Sequence, residues 1–450
     1  MHITRLLPLR PYTGYLLCAM GFTLSVIAFY PGAMSFDSVL QLQQARAWHF
    51  DDAHPPLMAV LWGTMDRIVP GPFGMLLLHN AAFWAAAAVY WRTLRKKSVA
   101  WAIVLLAVLL LPQVWSILSV IWKDTGMGVA LFLASALLYH ARQTGSHITL
   151  ACSVPALFYA CAVRHNAVVA VLPLCLWSGF IAASSLPRLR RILIGLVYFL
   201  VLTVSVVALN KALVKGNKIY IEQALWLYDL AGISKRQNTP IFPPYVMASE
   251  HFSMERMVAA YSPRRVDFLI SNFGRADIKP PLIQTRDPQQ VAELRSVWVN
   301  AIARYPAAYL KHRTKVFLNL IGIEAEADYF LPYIVQTPDE NPPPYRPARV
   351  SYALKSYISG RETFLLFRGW IWVMLSVFLL YQSARARLRG EMEAVFVLTS
   401  SGFLHCAGYF VYAPANDYRY IWWTVLAATI AAILSINGKM HSEPQIETNS

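Results

Sequence analysis

The chain has 450 residues, 57% of them hydrophobic, with a mean hydropathy of +0.42 and a formal net charge of +16. This composition excludes an ordinary soluble protein. Several apolar runs approach the ~20 residues that a membrane-spanning helix needs, so we predict an all-α polytopic membrane protein. The positive charge lies mostly in short loops between apolar runs, which indicates membrane topology rather than nucleic-acid binding.

The apolar runs set the predicted topology. Two arginines precede the first run and no small-residue cleavage site follows it, which predicts an uncleaved signal anchor. We predict ten spans, at 12–30, 72–91, 98–114, 125–141, 148–163, 167–183, 192–210, 363–383, 392–412 and 420–437. Because short basic loops stay in the cytoplasm, both termini are predicted to lie there.

This topology divides the chain into four parts. We predict an N-terminal transmembrane module (1–210), a soluble domain (211–362), C-terminal spans (363–437) and a polar, disordered cytoplasmic tail (438–450). The external loops are 31–71, 115–124, 164–166, 211–362 and 413–419. They hold nearly all the unusual polar residues, so the chemistry is predicted to face the outside of the membrane.

The first external loop brings several acidic residues close to the membrane. Acidic side chains are rare there and usually have a functional role or a charged partner. Its stretch SVLQLQQARAW predicts a helix, with an apolar face of Val39, Leu42 and Ala45 and with Gln41, Gln44 and Arg46 directed away. A second helix is predicted after the paired prolines at 55–56, which suit a first helical turn.

The polar residues of this loop have alternative interpretations. Asp37 can be the N-cap of a helix beginning at Ser38, a general base that takes a proton from an attacking hydroxyl, or both. Asp51, Asp52 and His54 can orient a sugar, hold a cation or form a solvated turn. The prolines that follow stiffen this segment and direct His54.

Three later external segments add charged pairs: Lys123-Asp124, Arg164-His165-Asn166, and Asp417 with Arg419. An external arginine opposes the positive-inside trend and needs an anionic ligand or a buried partner. Phosphate is one such ligand, because a guanidinium binds it through two hydrogen bonds. Pairing with Asp124 or Asp417 inside the protein is the alternative.

The large external loop has no cysteine, and all five cysteines lie in apolar segments, so no disulfide framework is predicted. Helices are predicted at 221–232, 288–304 and 306–322. The basic run of Lys311, His312, Arg313 and Lys315 is predicted to be a solvated face, with contact to a lipid headgroup or phosphate as the alternative. Glu324, Glu326 and Asp328 are predicted to balance that charge, with a divalent-cation site as the alternative.

The segment FDDAHPPL at 50–57 is similar to the aromatic–acid–x–His–Pro–Pro–Leu stretch of protein O-mannosyltransferases and related bacterial enzymes. On this basis the chain resembles the integral-membrane glycosyltransferases of the GT-C superfamily. WKD at 122–124 and RYI at 419–421 also resemble segments of bacterial members. Many members carry Asp-Glu where this chain has Asp37-Ser38, so a role for the second acid would pass to Asp51 or Asp52.

The resemblance implies transfer of a sugar from a polyprenyl-phosphate-linked donor to a glycan, lipid or protein acceptor, on the periplasmic face of a bacterial inner membrane. Asp37 would be the base, and Asp52 and His54 would orient sugar or acceptor. Lys123, Arg164 and Arg419 would stabilise the departing phosphate. The further site candidates are Asp51, Asp124, His165 and Asp417. The resemblance also implies membrane lipids as partners. It implies no particular cofactor, and a bound divalent cation stays an alternative.

Two other functions compete with this interpretation. A flippase or transporter for a lipid-linked glycan would need charges deep within the spans, and this sequence has few. A lipid-linked glycan polymerase or ligase would rest on arginine and histidine rather than on the Asp37 loop. The chain has no phosphate-cradling glycine-rich loop, which argues against a cytosolic nucleotide donor.

Overall fold

A computed structural model of the chain describes residues 12–271, 279–324, 364–388 and 390–442, together with positions 10, 349, 352, 353 and 356. Within these ranges the regular structure is helical, and extended segments meet only at three isolated β-bridges. The all-α prediction is therefore confirmed for the described residues.

The N-terminal module contains helices α1 (Thr13–Phe29), α2 (Phe36–Ala47), α3 (Leu57–Asp66), α4 (Phe73–Leu94), α5 (Val99–Val108), α6 (Pro112–Trp115), α7 (Lys123–Thr144), α8 (His147–Val163), α9 (Ala167–Ala182) and α10 (Arg188–Val214). The large loop contains α11 (Gln223–Gln237), α12 (Met254–Ala260), α13 (Asp267–Ile270), α14 (Pro288–Arg304) and α15 (Pro306–Leu320). The C-terminal part contains α16 (Gly369–Arg385), α17 (Glu391–Tyr412) and α18 (Trp422–Ser442). Four short 3₁₀ helices lie at Ser116–Ser119, Pro244–Met247, Leu365–Phe367 and Tyr418–Ile421.

In the described part of the chain, the helices long and apolar enough to cross a membrane are α4, α10, α17 and the segment Tyr418–Gly438. A fifth is present if α5 and the segment Pro112–Ser119, which meet at 61°, form one broken span. The break falls at Pro112, which cannot donate the backbone hydrogen bond that a continuous helix requires. Judged by length and apolar composition, these helices support a membrane protein with four or five spans. The predicted count of ten spans stays a prediction.

Helix α7 lies at the centre of the bundle. It packs against α4, α8, α9 and α18, and most of its residues are buried. The contact with α18 is close, since a Cβ atom at Gly128 would lie 2.5 Å from the Trp422 ring. Because α7 begins with Lys123 and Asp124, its packing places both charged residues inside the protein.

The two helices predicted in the first external loop are present, with two corrections. The N-cap of α2 is Ser35, not Asp37: the Ser35 N–H donates to Ser38 Oγ at 3.1 Å. Asp37 lies in the first helical turn, where the helix dipole favours a carboxylate. Gln41 and Gln44 are buried rather than directed away, because α2 is covered on more than its apolar face.

The large loop folds as predicted at its helices but not at its basic run. The three predicted helices are confirmed as α11, α14 and α15. Helix α11 packs against both of the others. Lys311 and Lys315 are exposed, but His312 and Arg313 are buried, and the solvated-face prediction is wrong for these two. Their burial follows from a partner that the sequence did not indicate, Asp229 on α11.

Asp229 is a fully buried carboxylate with three partners. The Arg313 Nε atom lies 2.6 Å from its Oδ1, His312 Nε2 lies 3.3 Å from the same atom, and Trp298 donates to Oδ2 at 2.9 Å. Arg313 also donates to the carbonyl oxygen of Ala413 at 3.1 Å, just beyond the end of α17. One buried ion pair therefore holds the loop domain together and joins it to the C-terminal helices.

The remaining predictions for this part of the chain concern acids and the tail. Glu324 accepts a hydrogen bond from Asn319 at 2.8 Å. Glu326 and Asp328 lie outside the described residues, so their predicted balance with the basic run stays a prediction. The predicted disordered tail is too long at its start, since α18 continues to Ser442; residues 443–450 lie outside the described residues.

Replacing Arg313 by alanine is expected to lower the free energy of unfolding by about 3–5 kcal/mol, because Asp229 would stay buried without its charged partner. The measurement is thermal unfolding of the full chain in detergent, monitored by circular dichroism. Lys311→Ala, at an exposed position on the same helix, is the control and should leave the midpoint unchanged. An equal, small effect of both variants would contradict the structural role of Arg313.

Candidate functional site

Charged residues from four distant segments meet where α2, the start of α7, the turn between α8 and α9, and the segment 413–419 come together. We call them the charge cluster: Asp37, Lys123, Asp124, Arg164, Asp417 and Arg419. All six were candidates from the sequence. Three cations and three carboxylates face one another here, so the cluster is close to neutral as a whole.

Arg419 connects the carboxylates of the charge cluster. It donates through Nη1 to Asp37 Oδ2 at 2.8 Å, and Nη2 lies 2.9 Å from Asp417 Oδ2. Its Nε atom lies 3.8 Å from Asp124 Oδ2. The guanidinium also lies over the rings of Trp122 and Tyr420, 4.7 and 5.2 Å from their centres. Aromatic faces stabilise a cation, so these rings help to hold Arg419 in place.

Arg164 occupies the other side of Asp124, which is fully buried. Its Nε atom lies 3.1 Å from Asp124 Oδ1, and it donates through Nη2 to the hydroxyl of Tyr409 at 3.3 Å. Like Arg419, it lies over the ring of Tyr420, at 5.0 Å. Arg164 and Arg419 thus pair with carboxylates in this structure, which is the alternative to binding an anionic ligand.

His54 and Lys123 form a second contact at the edge of the charge cluster. The Lys123 ammonium contacts His54 Nδ1, and both side chains are buried. Burial, followed by the charge of Lys123, lowers the pKa of His54, so its imidazole is neutral and can accept the hydrogen bond from the ammonium. His54 therefore positions Lys123.

Asp51 and Asp52 bind backbone N–H groups. The two oxygens of Asp52 accept hydrogen bonds from Ile219 N at 2.6 Å and Tyr220 N at 3.1 Å, beyond the end of α10. Asp51 accepts from Ala53 N at 2.9 Å, as expected for the turn interpretation. These contacts give Asp52 a tethering role between the first loop and the large loop. His165 is exposed beside Arg164.

Asp37 is the most accessible carboxylate of the charge cluster. Its side chain is 27% exposed, whereas that of Asp124 is 0% exposed. Burial acts to raise the pKa of Asp37, but the charges of Arg419 and Lys123 act to lower it, and the net pKa lies well below the usual range. The carboxylate is therefore ionised and able to accept a hydrogen bond from a bound hydroxyl group.

The sequence did not single out Arg265 and Asp267, which the large loop brings to the edge of the charge cluster. The Arg265 guanidinium lies 3.8 Å from Asp417 and 3.7 Å from Asp267. The sequence did contain an indication of this site. Arg264 and Arg265 lie in a loop predicted to be external, and arginines in such loops are the feature that identified Arg164 and Arg419. The 152 residues of sequence that separate Arg265 from Asp417 hid the pairing, since nothing local connects the two positions.

The described residues contain no group of three or more histidine, cysteine, aspartate or glutamate side chains arranged to hold a metal ion. The divalent-cation alternative thus gains no support from the described part of the chain. Comparisons of the chain with protein-family models, with curated proteins and with solved structures gave no match. The chemistry of the charge cluster is therefore the basis on which a function can be argued.

Proposed function

We propose that this protein is a GT-C-type membrane glycosyltransferase. It moves a sugar from a polyprenyl-phosphate-linked donor to a glycan, lipid or protein acceptor, at the periplasmic face of a bacterial inner membrane. The observation that carries the proposal is the pairing of Asp37, an accessible ionised carboxylate, with Arg419, beside a second arginine and a lysine. Such a set can hold an anionic leaving group next to a hydroxyl-binding carboxylate.

The positions of the helix ends support the proposed sidedness. The charge cluster lies where α7 and α18 begin and where α8 and α17 end. Basic residues lie at the opposite ends, including Arg92 at the end of α4 and Arg142 at the end of α7. Under the positive-inside rule those ends would be cytoplasmic and the charge cluster would lie on the outer side, which supports the proposed sidedness.

The three cations of the charge cluster supply the phosphate-binding function in this proposal. A donor phosphate would replace Asp37 as the acceptor of the Arg419 hydrogen bond and Asp124 as the ionic partner of Arg164. An arginine offers two parallel donors to phosphate oxygens, and its attraction grows as the leaving phosphate gains charge. Lys123, placed by His54, adds a further cation.

In the proposed reaction an acceptor hydroxyl attacks the anomeric carbon of the donor sugar. A carboxylate takes the hydroxyl proton as the new C–O bond forms and the bond to the phosphate oxygen breaks. Asp37 is the candidate that the sequence named, and its accessibility supports contact with the acceptor. A site at the outer ends of membrane helices suits a donor whose polyprenyl chain stays in the bilayer.

A lipid-linked glycan flippase is the second candidate, since charged contacts also lie at the opposite ends of the helices. Arg142 donates to both oxygens of Glu393 at 2.9–3.1 Å, and Lys97 contacts Glu391. A flippase must be able to close at each face of the membrane. These two ion pairs could close the face opposite the charge cluster. The same contacts also hold α7 and α17 together in a transferase.

The test is the composition of surface glycans in a strain that lacks this protein, measured by mass spectrometry of lipopolysaccharide and released glycans. Loss of one sugar residue that the wild-type gene restores supports the transferase. Glu250→Gln, at a side chain that is 85% exposed, is the control variant and should restore the sugar as well. Unchanged sugar composition with shortened chains or accumulated lipid-linked precursor would instead favour the flippase or polymerase.

A further inference from the structure

A short segment of the large loop, residues 262–267, docks on the segment that carries Asp417 and Arg419. Val266 N donates to Pro414 O at 2.9 Å, and Asn416 N donates to Arg264 O at 2.8 Å. These two backbone hydrogen bonds run in opposite directions between the segments and form part of an antiparallel bridge between Arg265 and Ala415. The large loop is therefore held directly against the charge cluster.

The docking produces an unbroken series of alternating charges from the large loop to the first loop. Asp267 lies 3.7 Å from Arg265, Arg265 lies 3.8 Å from Asp417, and Asp417 lies 2.9 Å from Arg419. Arg419 in turn donates to Asp37 at 2.8 Å. The two ends of the series, Asp37 and Asp267, are its accessible carboxylates, with side chains that are 27% and 33% exposed.

Asp37 and Asp267 differ in how strongly the neighbouring cations bind their carboxylates. Asp37 accepts a short, charge-assisted hydrogen bond from Arg419, and the nearby Lys123 favours its ionised form further. Among the described residues, the cation paired with Asp267 is Arg265, at a distance too long for a strong hydrogen bond, and Arg265 is shared with Asp417. A proton is therefore bound more readily by Asp267 than by Asp37.

This inference rests on the proposed transferase function. We propose that Asp267 of the large loop is the general base of the reaction, and that Asp37 orients Arg419 and the acceptor without taking the proton. The base would then come from the domain that covers the site, and the leaving-group cations from the membrane helices.

The carboxylate of Asp267 takes the proton of the acceptor hydroxyl, and the hydroxyl oxygen forms a bond to the anomeric carbon. The bond between that carbon and the donor phosphate oxygen breaks, and its electron pair leaves with the phosphate. The products are the glycosylated acceptor, polyprenyl phosphate and protonated Asp267, which returns its proton to water.

The proton affinity of Asp267 agrees with this role. Burial raises its pKa to about 6, with Asp417 and Asp37 adding to the rise and with Arg265 and Arg419 opposing it. From the side of α11, Tyr228 also lies within the range of its charge. A general base works best when its pKa is near the working pH, and two carboxylates with separated pKa values indicate a division of roles.

The deprotonated form of Asp267 is the active one, so the transfer rate is expected to rise with pH through about 6 and to level off above it. The experiment uses the full chain in nanodiscs and a polyprenyl-phosphate donor carrying the sugar that the deletion strain loses. Single-turnover rates are measured between pH 5 and pH 8. Asp267→Asn is expected to lower the rate by about 10²–10⁴-fold and to remove this rise.

A second variant keeps Asp267 and changes only its partner. Removing the positive charge in Arg265→Gln raises the pKa of Asp267, so the midpoint of the rise should move to higher pH, by about 1 unit. Glu250→Gln, exposed on the same domain, should leave both rate and midpoint unchanged. Thermal unfolding of each variant shows whether a lost rate reflects lost folding.

The outcomes separate the two proposals. No transfer by the folded wild-type protein at any pH would overturn the transferase and Asp267 together. Transfer by wild type that survives in Asp267→Asn, with the rise near pH 6 intact, would overturn Asp267 as the base and leave the transferase standing. If Asp267→Asn fails to fold, an unmoved midpoint in Arg265→Gln overturns the assignment instead.

Discussion

Replacing Arg419 by glutamine is expected to abolish transfer and to lower the free energy of unfolding by about 3–5 kcal/mol. The side chain contacts Asp37, Asp417 and Asp124, and the glutamine amide carries no charge to offset those three carboxylates. The loss of a buried cation leaves charges that must be protonated or hydrated. We therefore expect both an inactive and a less stable protein.

The two effects of Arg419→Gln can be measured separately. Restoration of the missing sugar in the deletion strain reports transfer, and thermal unfolding of the purified protein reports stability. Arg236→Gln, at an exposed position on α11, is the matched control for loss of one arginine charge. Full complementation by Arg419→Gln would show that the site does not use this cation.

Arg419→Lys should retain more stability than the glutamine variant, because it keeps the charge. It should still lose most transfer, since one ammonium cannot replace a guanidinium that donates in several fixed directions. Equal activity of the lysine variant and wild type would show that only the charge of Arg419 matters.

Asp37→Asn is expected to lower transfer by at least about 10²-fold, with a smaller effect on stability than Arg419→Gln. The change removes the charge that orients Arg419 but keeps the size of the side chain. Arg419 keeps Asp417 as a charged partner at 2.9 Å, so the loss of the Asp37 charge leaves no buried cation unpaired. The measurement is the single-turnover rate, with a thermal unfolding midpoint for each protein.

The residual activity of Asp37→Asn then distinguishes the two carboxylates. If Asp267 is the base, the remaining rate should still rise with pH near 6. If Asp37 is the base, its low pKa predicts that the wild-type rate does not rise with pH near 6. The pH dependence of the residual rate in Asp37→Asn should then differ from that of wild type. Undiminished transfer by Asp37→Asn would remove this residue from the mechanism.

The helices and all six residues of the charge cluster could be predicted from the amino-acid sequence. Apolar runs and helical periodicity are local properties, so helices in the first loop and at 221–232, 288–304 and 306–322 could be predicted from neighbouring residues alone. External arginines stand out in the same way, because an isolated charge beside a membrane requires a partner wherever that partner lies.

The partner of each charged residue depends on how distant parts of the chain pack together. Arg419 contacts Asp37, Asp229 contacts Arg313, and Arg265 contacts Asp417, each across more than 80 residues of sequence. The same contacts explain why His312 and Gln41 are buried despite their polarity. Ion pairing and burial depend on distances between elements, and these are set by how the helices pack rather than by any local pattern.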